Sequence, residues 1–253
     1  MKFKISFVGK NNRMPEAFKF KEFVIHQDKS AMKVGTDGVL LGAWCSQDFK
    51  PESILDIGSG TGVIALQLAQ RFDAETIDAV EIDEEAYEQT VENFERSDWG
   101  DRLFCYHSNF KDFVDEFSDE EEMYELIVSN PPFYTDCFES DNDSRNKARF
   151  TTSLPFKELI LGVSKLLSEN GIFSVVIPFK EEKNFIELAM HFNLYITKRC
   201  RVKGTSNSDI KRSLLEFKKN QSEIIEESLT IEITRHQYTK KYTKLVKDFY
   251  LKF

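Results

Sequence analysis

The sequence predicts an α/β fold, a doubly wound and mostly parallel sheet of seven strands with helices on both faces and a short β-hairpin before it. Two observations carry this prediction. From Ser53 onward, short apolar runs alternate with longer amphipathic segments, which is the pattern of strands that alternate with helices. The first of these runs is also apolar at nearly every position, which is typical of a parallel strand covered on both faces.

The predicted elements follow one another in a regular order. Near the N-terminus, FKFKEFVIHQ (Phe18 to Gln27) predicts a strand or hairpin, and GTDGVLLGAW predicts a short buried helix after a turn. The core strands are expected at SILDIG, TIDAVEID, RLFCYH, YELIVSN, IFSVVIPF, LYITKRCRV and RSLLEFKK, the last two as a closing pair. Helices are expected at TGVIALQLAQRF, EEAYEQTVENFERS, FKELILGVSKLLSENG and EEKNFIELAMHFN. The tail offers a candidate strand, SLTIEITR, and a basic helix, KKYTKLVKDFYLKF.

Charge is unevenly distributed along the chain. The net charge is −9, but residues 1–35 and residues 201–253 each carry +5, whereas residues 36–200 carry −19. An acidic body with two basic ends is compatible with a polyanion that binds across the ends, and also with two solvated basic surfaces.

The cysteines and the hydropathy narrow the class of protein. The four cysteines lie far apart and form no C-x-x-C pair, which argues against a zinc site or a disulfide framework and favours a reducing cytosol. No apolar run approaches the ~20 residues that a membrane-spanning helix requires. We therefore expect a cytoplasmic protein that binds neither a metal nor a membrane.

The segment LDIGSGTG (Leu55 to Gly62) predicts a ligand-binding turn. A buried strand runs into three glycines, Gly58, Gly60 and Gly62, and a helix follows. Glycine allows the backbone to turn sharply and to approach a ligand closely, and the helix N-terminus can receive a carboxylate. The next strand ends at Glu81, whose carboxylate can accept hydrogen bonds from both hydroxyls of a ribose. A structural turn and a solvated strand end are the alternative interpretation.

The motifs LDIGSGTG, VEID and NPPF, in that order, resemble those of the class I S-adenosylmethionine-dependent methyltransferases that modify amino or amide nitrogens. The resemblance implies a Rossmann-like fold and S-adenosylmethionine as the cofactor. It assigns cofactor binding to Asp56 and the three glycines, with Glu81 on the ribose. Asn109 stands where many members of the family have an aspartate beside the adenine of the cofactor.

A second resemblance concerns the segments that flank these motifs. KFKEFVIHQDKSAMKVGTDGVLLGAW and RNKARFTTSL are similar to the bacterial tRNA1(Val) adenine-37 N6-methyltransferase family. In that family the positions of Lys33, Gly35, Thr36 and Asp37 form a lid over the cofactor, although TDG is also ordinary turn chemistry. We expect one methyltransferase domain over residues 1–253, divided into an N-terminal hairpin and lid (1–50), a catalytic core (51–220) and a C-terminal basic extension (221–253).

The stretch VSNPPFYTD (Val128 to Asp136) predicts where the substrate nitrogen is held. Two prolines after a strand fix two φ angles and remove two N–H donors. The side-chain oxygen of Asn130 and the carbonyl oxygen of Pro131 are candidate acceptors for the adenine amine, held in place by Pro131 and Pro132. Phe133 offers an aromatic face to an unstacked base. The alternative is that Asn130 caps a turn and Phe133 belongs to the core.

Basic residues after this stretch are candidates for RNA contacts. Arg145, Lys147 and Arg149 are expected to hold phosphates around an extruded adenine. The segments KRCRVK (Lys198 to Lys203) and RHQYTKKYTKLVK (Arg235 to Lys247) suit contacts along an RNA backbone, the second with interleaved tyrosines. Solvated surface charge explains any one of these residues about equally well. The expected partner is the anticodon loop of a tRNA, bound by a monomer.

Several functions are compatible with these motifs. The leading one is methyl transfer to N6 of adenine-37 in the anticodon loop of tRNA1(Val). Protein glutamine N5-methylation and guanine N2-methylation of ribosomal RNA are alternatives whose enzymes carry similar motifs. Glutamine N5-methyltransferases usually have a helical N-terminal domain, and the ~50 residues before the first core strand are too few to form one. Guanine N2-methyltransferases of ribosomal RNA tend to carry a duplicated domain, for which this chain has no room. A non-catalytic RNA-binding module is a fourth function.

Overall fold

The computed structural model describes residues 17–118, 123–132 and 154–253. Its strands are β1 (Phe18–Lys19), β2 (Val24–Ile25), β3 (Ser53–Ile57), β4 (Thr76–Glu81), β5 (Leu103–His107), β6 (Tyr124–Ser129), β7 (Leu167–Pro178), β8 (Tyr195–Lys203), β9 (Ile210–Lys218), β10 (Ile225–Thr230), β11 (Glu232–Thr234) and β12 (Gln237–Tyr238). Its α-helices are α1 (Thr36–Trp44), α2 (Val63–Arg71), α3 (Glu84–Glu95), α4 (Phe110–Phe117), α5 (Phe156–Leu166), α6 (Glu182–Met190) and α7 (Lys240–Val246).

Strands β3 to β10 form one sheet in the order β10-β8-β9-β7-β6-β3-β4-β5. Strand β9 is antiparallel to both of its neighbours, and every other adjacent pair is parallel. The predicted α/β sheet and its closing pair are therefore confirmed, as is the N-terminal hairpin, in which β1 pairs antiparallel with β2. The predicted strand number was one too low. After β9 the chain crosses to the far side of β8, where β10 adds an edge strand. Strand β10 is parallel to β8, with Ile225 opposite Lys198 at one end of the pairing and Thr230 opposite Lys203 at the other.

The central strands are apolar at successive positions because both faces of the sheet are covered. In β3, Ile54 belongs to the apolar cluster that includes side chains of α1 and α2, whereas Leu55 and Ile57 belong to the cluster that includes α4, α5 and α6. All three side chains are at most 1% exposed. Burial of such a side chain stabilises the fold by ~1.5–3 kcal/mol, so an apolar run of this kind holds a strand in the middle of a sheet.

Two predicted helices were too long, and one helix was not predicted. The tail segment KKYTKLVKDFYLKF was predicted to be a helix, but α7 ends at Val246. The run FKELILGVSKLLSENG was expected to be helical throughout, but α5 ends at Leu166 and β7 begins at Leu167. The pairing of β6 with β7 shifts register between Tyr124 and Leu126, where Tyr124 faces Leu167 and Leu126 faces Ile172. Pairing with β6 thus decides the conformation of a segment whose local sequence favours a helix. The unpredicted helix is α4, which follows β5.

The two ends of the described chain pack against each other. Phe20 and Tyr250 form an antiparallel bridge, and their rings lie with centroids 5.8 Å apart. Nearby, Gln70 Nε2 donates to the carbonyl oxygen of Asp248 at 2.9 Å. Helix α2 starts at the carboxyl end of β3 and ends beside Gln70, so this junction lies toward the opposite edge of the sheet.

Candidate active site

A cavity of about 380 Å³ opens at the carboxyl ends of β3, β4, β5 and β6. In doubly wound sheets this is the edge at which ligands bind, and the volume is within the range of small-molecule sites. Seven of the predicted site residues line it, namely Gly58, Gly60, Glu81, Asn109, Asn130, Pro131 and Pro132. The fold therefore brings together residues from three motifs that are far apart in the sequence.

The three glycines of the first motif adopt left-handed backbone conformations, with φ of 74° at Gly58, 60° at Gly60 and 75° at Gly62. A methyl group placed at Gly58 or Gly60 has no atom within 4 Å, so both positions are open to a ligand. A methyl group at Gly62 lies 2.7 Å from Cε1 of Phe94. The first two glycines thus shape the cavity, and the third allows α2 to pack against α3.

Glu81 presents its carboxylate at the end of β4. Its Oε2 accepts a hydrogen bond from the backbone N–H of Gly60 at 2.8 Å, and Oε1 accepts from the N–H groups of Ile82 at 2.9 Å and Asp83 at 3.0 Å. Three backbone donors fix the orientation of this side chain, which is 9% exposed. A carboxylate has about four acceptor positions, so one remains for a ligand in this arrangement.

Asp56 is fully buried beneath the glycine turn. Its Oδ2 accepts from the N–H of Ala65 at 3.2 Å, and its Oδ1 has no hydrogen-bond partner within the described ranges. Burial raises the pKa of Asp56 to about 7, and the charge of Glu81 acts in the same direction against the hydrogen bond from Ala65. Asp56 does not line the cavity, so a contact between its carboxyl group and a ligand stays a prediction.

Asn109 lines the cavity and also caps α4. Its Oδ1 accepts a hydrogen bond from the N–H of Asp112 at 2.9 Å, and its Nδ2 donates to the Asp112 carboxylate. The side-chain oxygen of Asn109, which could accept from the amine of a cofactor adenine, is therefore already used once. A contact with adenine requires its second lone pair.

Asn130 lies directly after β6, where several elements meet. Ser129 Oγ donates to the carbonyl oxygen of Ile57 at 3.0 Å, which joins the ends of β6 and β3. A methyl group built at Gly38 lies 3.8 Å from Asn130 Nδ2 and 3.5 Å from Cγ1 of Val63, so the starts of α1 and α2 are both adjacent. Asn130 therefore lines the cavity close to the starts of both helices.

The four predicted lid residues, Lys33, Gly35, Thr36 and Asp37, do not line the cavity. Gly35 is the N-cap of α1, and Lys33 Nζ donates to the carbonyl oxygen of Ser30 at 3.0 Å. Asp37 Oδ2 lies 2.5 Å from Nε of Arg212 on β9. A lid role for these residues stays a prediction.

The residues just before the predicted lid line the cavity, whereas the predicted lid residues do not. Ser30, Ala31 and Met32 belong to its wall, and Met32 is 54% exposed. A large exposed apolar side chain next to a cavity is a sign of a ligand surface. These residues belong to the segment KFKEFVIHQDKSAMKVGTDGVLLGAW, but the resemblance assigned the lid only to positions from Lys33 onward.

Some predicted features cannot be placed. Phe133 and the basic residues Arg145, Lys147 and Arg149 lie outside the described residues.

In the part of the chain that is described, no group of three or more His, Cys, Asp or Glu side chains is arranged to hold a metal ion. Within the same ranges, no helix combines the length and apolar character needed to cross a membrane.

The cavity suits a ligand that contains a nucleoside and an amino acid. Open glycine backbone lies at Gly58 and Gly60, a fixed carboxylate lies at the end of β4, and apolar surface comes from Ile82 and Phe110. These are the groups that S-adenosylmethionine requires, namely a close backbone approach, an acceptor for ribose and a surface for adenine.

Comparisons with known proteins agree with this geometry. A family model of the methyltransferase small domain matches residues 38–196. A tRNA1(Val) (adenine(37)-N6)-methyltransferase of Christiangramia forsetii is 59% identical over 94% of this chain and 98% of its own. A protein of the same name from Flavobacterium johnsoniae is 58% identical over 93% and 99%, and one from Bacteroides fragilis is 43% identical over 93% and 98%.

The fold has solved counterparts. The crystal structure of a predicted O-methyltransferase from Agrobacterium tumefaciens superposes with a TM-score of 0.65, covering 84% of this chain and 96% of that one. At 17% identity this likeness concerns the fold alone. The family model and the relatives matched over nearly their whole length lead to one assignment. The chain belongs to the methyltransferase small domain family and, within it, to the tRNA1(Val) (adenine(37)-N6)-methyltransferases.

Proposed function

We propose that this protein transfers a methyl group from S-adenosylmethionine to N6 of adenine-37 in the anticodon loop of tRNA1(Val). The relatives named for this reaction match nearly the whole chain, at up to 59% identity among those described above. The observation that carries the proposal to individual residues is the shared cavity of Gly58, Glu81 and Asn130. Action on tRNA implies a cytoplasmic location, and we expect the protein to act as a monomer.

The cofactor would lie along the carboxyl ends of β3 and β4. Gly58 and Gly60 leave room for its methionine part, and the remaining acceptor position of Glu81 would receive a ribose hydroxyl. A direct contact of Asp56 with the cofactor rests on the family resemblance alone, because Asp56 is fully buried and does not line the cavity. When bound, S-adenosylmethionine supplies an electrophilic methyl group on a sulfonium.

Asn130 and Pro131 would prepare the substrate nitrogen. The lone pair of the adenine amine is delocalised into the ring, which makes the amine a poor nucleophile. Hydrogen bonds from the NH₂ group to the side-chain oxygen of Asn130 and the carbonyl oxygen of Pro131 favour a pyramidal nitrogen whose lone pair is directed out of the ring plane. Pro131 and Pro132 restrain the backbone, so the carbonyl oxygen of Pro131 and the backbone of Asn130 are positioned before the substrate arrives.

Proton removal needs no dedicated base in this scheme. The amine keeps its protons until it has been methylated, and the resulting cationic nitrogen is strongly acidic. A proton can then pass to water. This agrees with the cavity, where Asn130 and the prolines that follow it are not ionisable groups.

The alternative substrates are less well supported. Glutamine N5-methylation and guanine N2-methylation also require acceptors for an NH₂ group, so Asn130 alone does not separate them. The relatives do, because those described above carry the adenine-37 name over at least 98% of their length. A non-catalytic RNA-binding module has no need for an open glycine turn beside a fixed carboxylate.

The experiment is incubation of the protein with methyl-labelled S-adenosylmethionine and total tRNA from a strain that lacks it. Nucleoside mass spectrometry should find the label in N6-methyladenosine. Label in N2-methylguanosine, or in protein when a lysate is supplied instead, would overturn the proposal.

The role of Asn130 has its own test. We expect Asn130→Ala to lower kcat/KM at least about a hundredfold, the scale of losing one preorganised polar contact to the reacting group, with little change in cofactor affinity by calorimetry. The matched control is Asn170→Ala, since Asn170 is an exposed residue at the amino end of β7. Full activity of Asn130→Ala would remove this residue from the mechanism.

A further inference from the structure

We propose that a groove beside β8 and β10 binds phosphate groups of the substrate RNA while its adenine occupies the cavity at Asn130. The inference rests on the proposed function, because it assigns a second contact to the same tRNA. The groove lies toward the carboxyl ends of β8 and β10, which are parallel to β7 and β6 and therefore end at the same edge of the sheet as the cavity.

The lining of the groove combines groups that bind anions with two carboxylates, those of Glu226 and Glu227. Its volume is about 520 Å³, and its basic and hydroxyl side chains are Arg199, Arg201, Lys203, Ser206, Ser228 and Thr230. Guanidinium, ammonium and hydroxyl groups are the usual partners of phosphate oxygens in protein–nucleic acid complexes.

Arg201 is oriented before any RNA binds. Its Nε lies 3.2 Å from both carboxylate oxygens of Glu182, and its Nη2 lies 2.6 Å from one of them. Burial opposes ionisation of Glu182, but hydrogen bonds from Arg201 and Ser213 prevail and lower its pKa. The guanidinium also lies over the ring of Phe179, 5.5 Å from the centroid. A positioned guanidinium loses little freedom when it meets a phosphate.

Two lysines supply charge that no carboxylate offsets. Arg199 is neutralised by Glu182 and by Glu226, which also lines the groove. In contrast, neither Lys203 nor Lys211 forms an ion pair within the ranges that the structure describes. Lys203 lines the groove, and Lys211 is exposed next to Ile210, another lining residue.

The basic residues of the two predicted RNA-binding segments, Lys198 to Lys203 and Arg235 to Lys247, lie on different surfaces of the protein. Lys198 is 7% exposed and lies over the ring of Trp44 at 4.7 Å, on the other face of the sheet from Arg199 and Arg201. Helix α7 leads from β12 toward the junction at Gln70, on the opposite edge. Of these two segments, the alternate positions of β8 therefore remain as the basic surface at the same edge of the sheet as the cavity.

The spacing is suitable for one RNA loop. Strands β9 and β7 separate β8 from β6, and adjacent strands lie about 4.8 Å apart, so the groove and Asn130 are roughly 14 Å apart across the sheet. A loop whose adenine is extruded covers this distance in a few nucleotides. The groove is thus placed for phosphates near the modified base rather than for a distant arm.

The test compares two double variants in binding to a tRNA1(Val) transcript across a salt series. We expect Lys203→Ala with Lys211→Ala to weaken binding roughly tenfold near physiological salt and to lower the slope of log K against log salt by about 1.5, the value for two lost phosphate contacts. The control is Lys218→Ala with Lys219→Ala, which removes the same charge at the other end of β9, ~24 Å from Lys211. Cofactor affinity should be unchanged in both.

The outcomes separate the groove from the reaction. Binding of the groove variant within twofold of the wild type, with an unchanged salt slope, would overturn the groove while wild-type methylation of the transcript still supports the proposed function. Equal weakening by the control pair would also overturn the groove, because it would indicate a general effect of charge. A wild type that binds but does not methylate the transcript would contradict the proposed function itself.

Discussion

Replacement of Gly62 by alanine tests whether this third glycine of the turn is required for helix packing, whereas the first, Gly58, is required for ligand binding. Gly62 has φ of 75°, and a methyl group there lies 2.7 Å from Cε1 of Phe94 and 3.1 Å from Cγ2 of Thr90. Gly58 has nearly the same φ, 74°, but no atom lies within 4 Å of its added methyl group. The two positions therefore share backbone strain and differ in steric contact.

The expected loss of stability follows from these two contributions. A left-handed conformation costs an L-residue ~1–2 kcal/mol. Excess volume in a packed region costs ~1–3 kcal/mol more, because Phe94 is 2% exposed and has little room to move. We therefore expect Gly62→Ala to lower the free energy of unfolding by about 2–5 kcal/mol, and Gly58→Ala by only ~1–2 kcal/mol.

Urea unfolding of both variants and calorimetry with S-adenosylmethionine measure the two effects. Gly58→Ala should lose more cofactor affinity than stability, since its methyl group points into the cavity. Gly62→Ala should lose more stability than cofactor affinity. Equal destabilisation by the two substitutions would refute the reasoning, because it would mean that the contact with Phe94 relaxes without cost.

Two further predictions concern the carboxyl groups of the site. Glu81→Ala should raise the Kd for S-adenosylmethionine by about a hundredfold in calorimetry. The substitution removes a charged acceptor and leaves the N–H groups of Gly60, Ile82 and Asp83 without a hydrogen-bond partner from this side chain. A change in Kd below threefold would contradict a ribose contact. The folded-state pKa of Asp56, about 7, lies above its ordinary value of 3.8, so the stability that the protonated group contributes is complete below about pH 4 and is lost progressively as pH rises to about 7. Urea titrations at about pH 5 and pH 8 should show a larger fall in stability for the cofactor-free wild type than for Asp56→Asn, and parallel falls would argue against a raised pKa.

Features encoded by neighbouring residues could be predicted from the sequence. The turn at Gly58 to Gly62 depends on the strand before it and the helix after it, and Glu81 ends the adjacent strand. Asn130 follows the strand on the other side of β3. Since parallel strands end at one edge, the order of the motifs was enough to bring these residues together.

Features that depend on distant partners could not be predicted. Asp37 pairs with Arg212, which is 175 residues away in the sequence, and no local pattern reveals this. The same applies to β10, whose place beside β8 is decided by strand pairing at the sheet edge. Asn109 was interpreted through a family position, whereas its most evident role in the fold is to cap α4.

The most direct test of the central claim uses two tRNA1(Val) transcripts, one with adenine and one with guanine at position 37, incubated with the protein and methyl-labelled S-adenosylmethionine. Nuclease fragments are then analysed by mass spectrometry. The account predicts one labelled N6-methyladenosine, at position 37 of the first transcript, and no label in the second. Equal labelling of both transcripts, or label at another position, would contradict it.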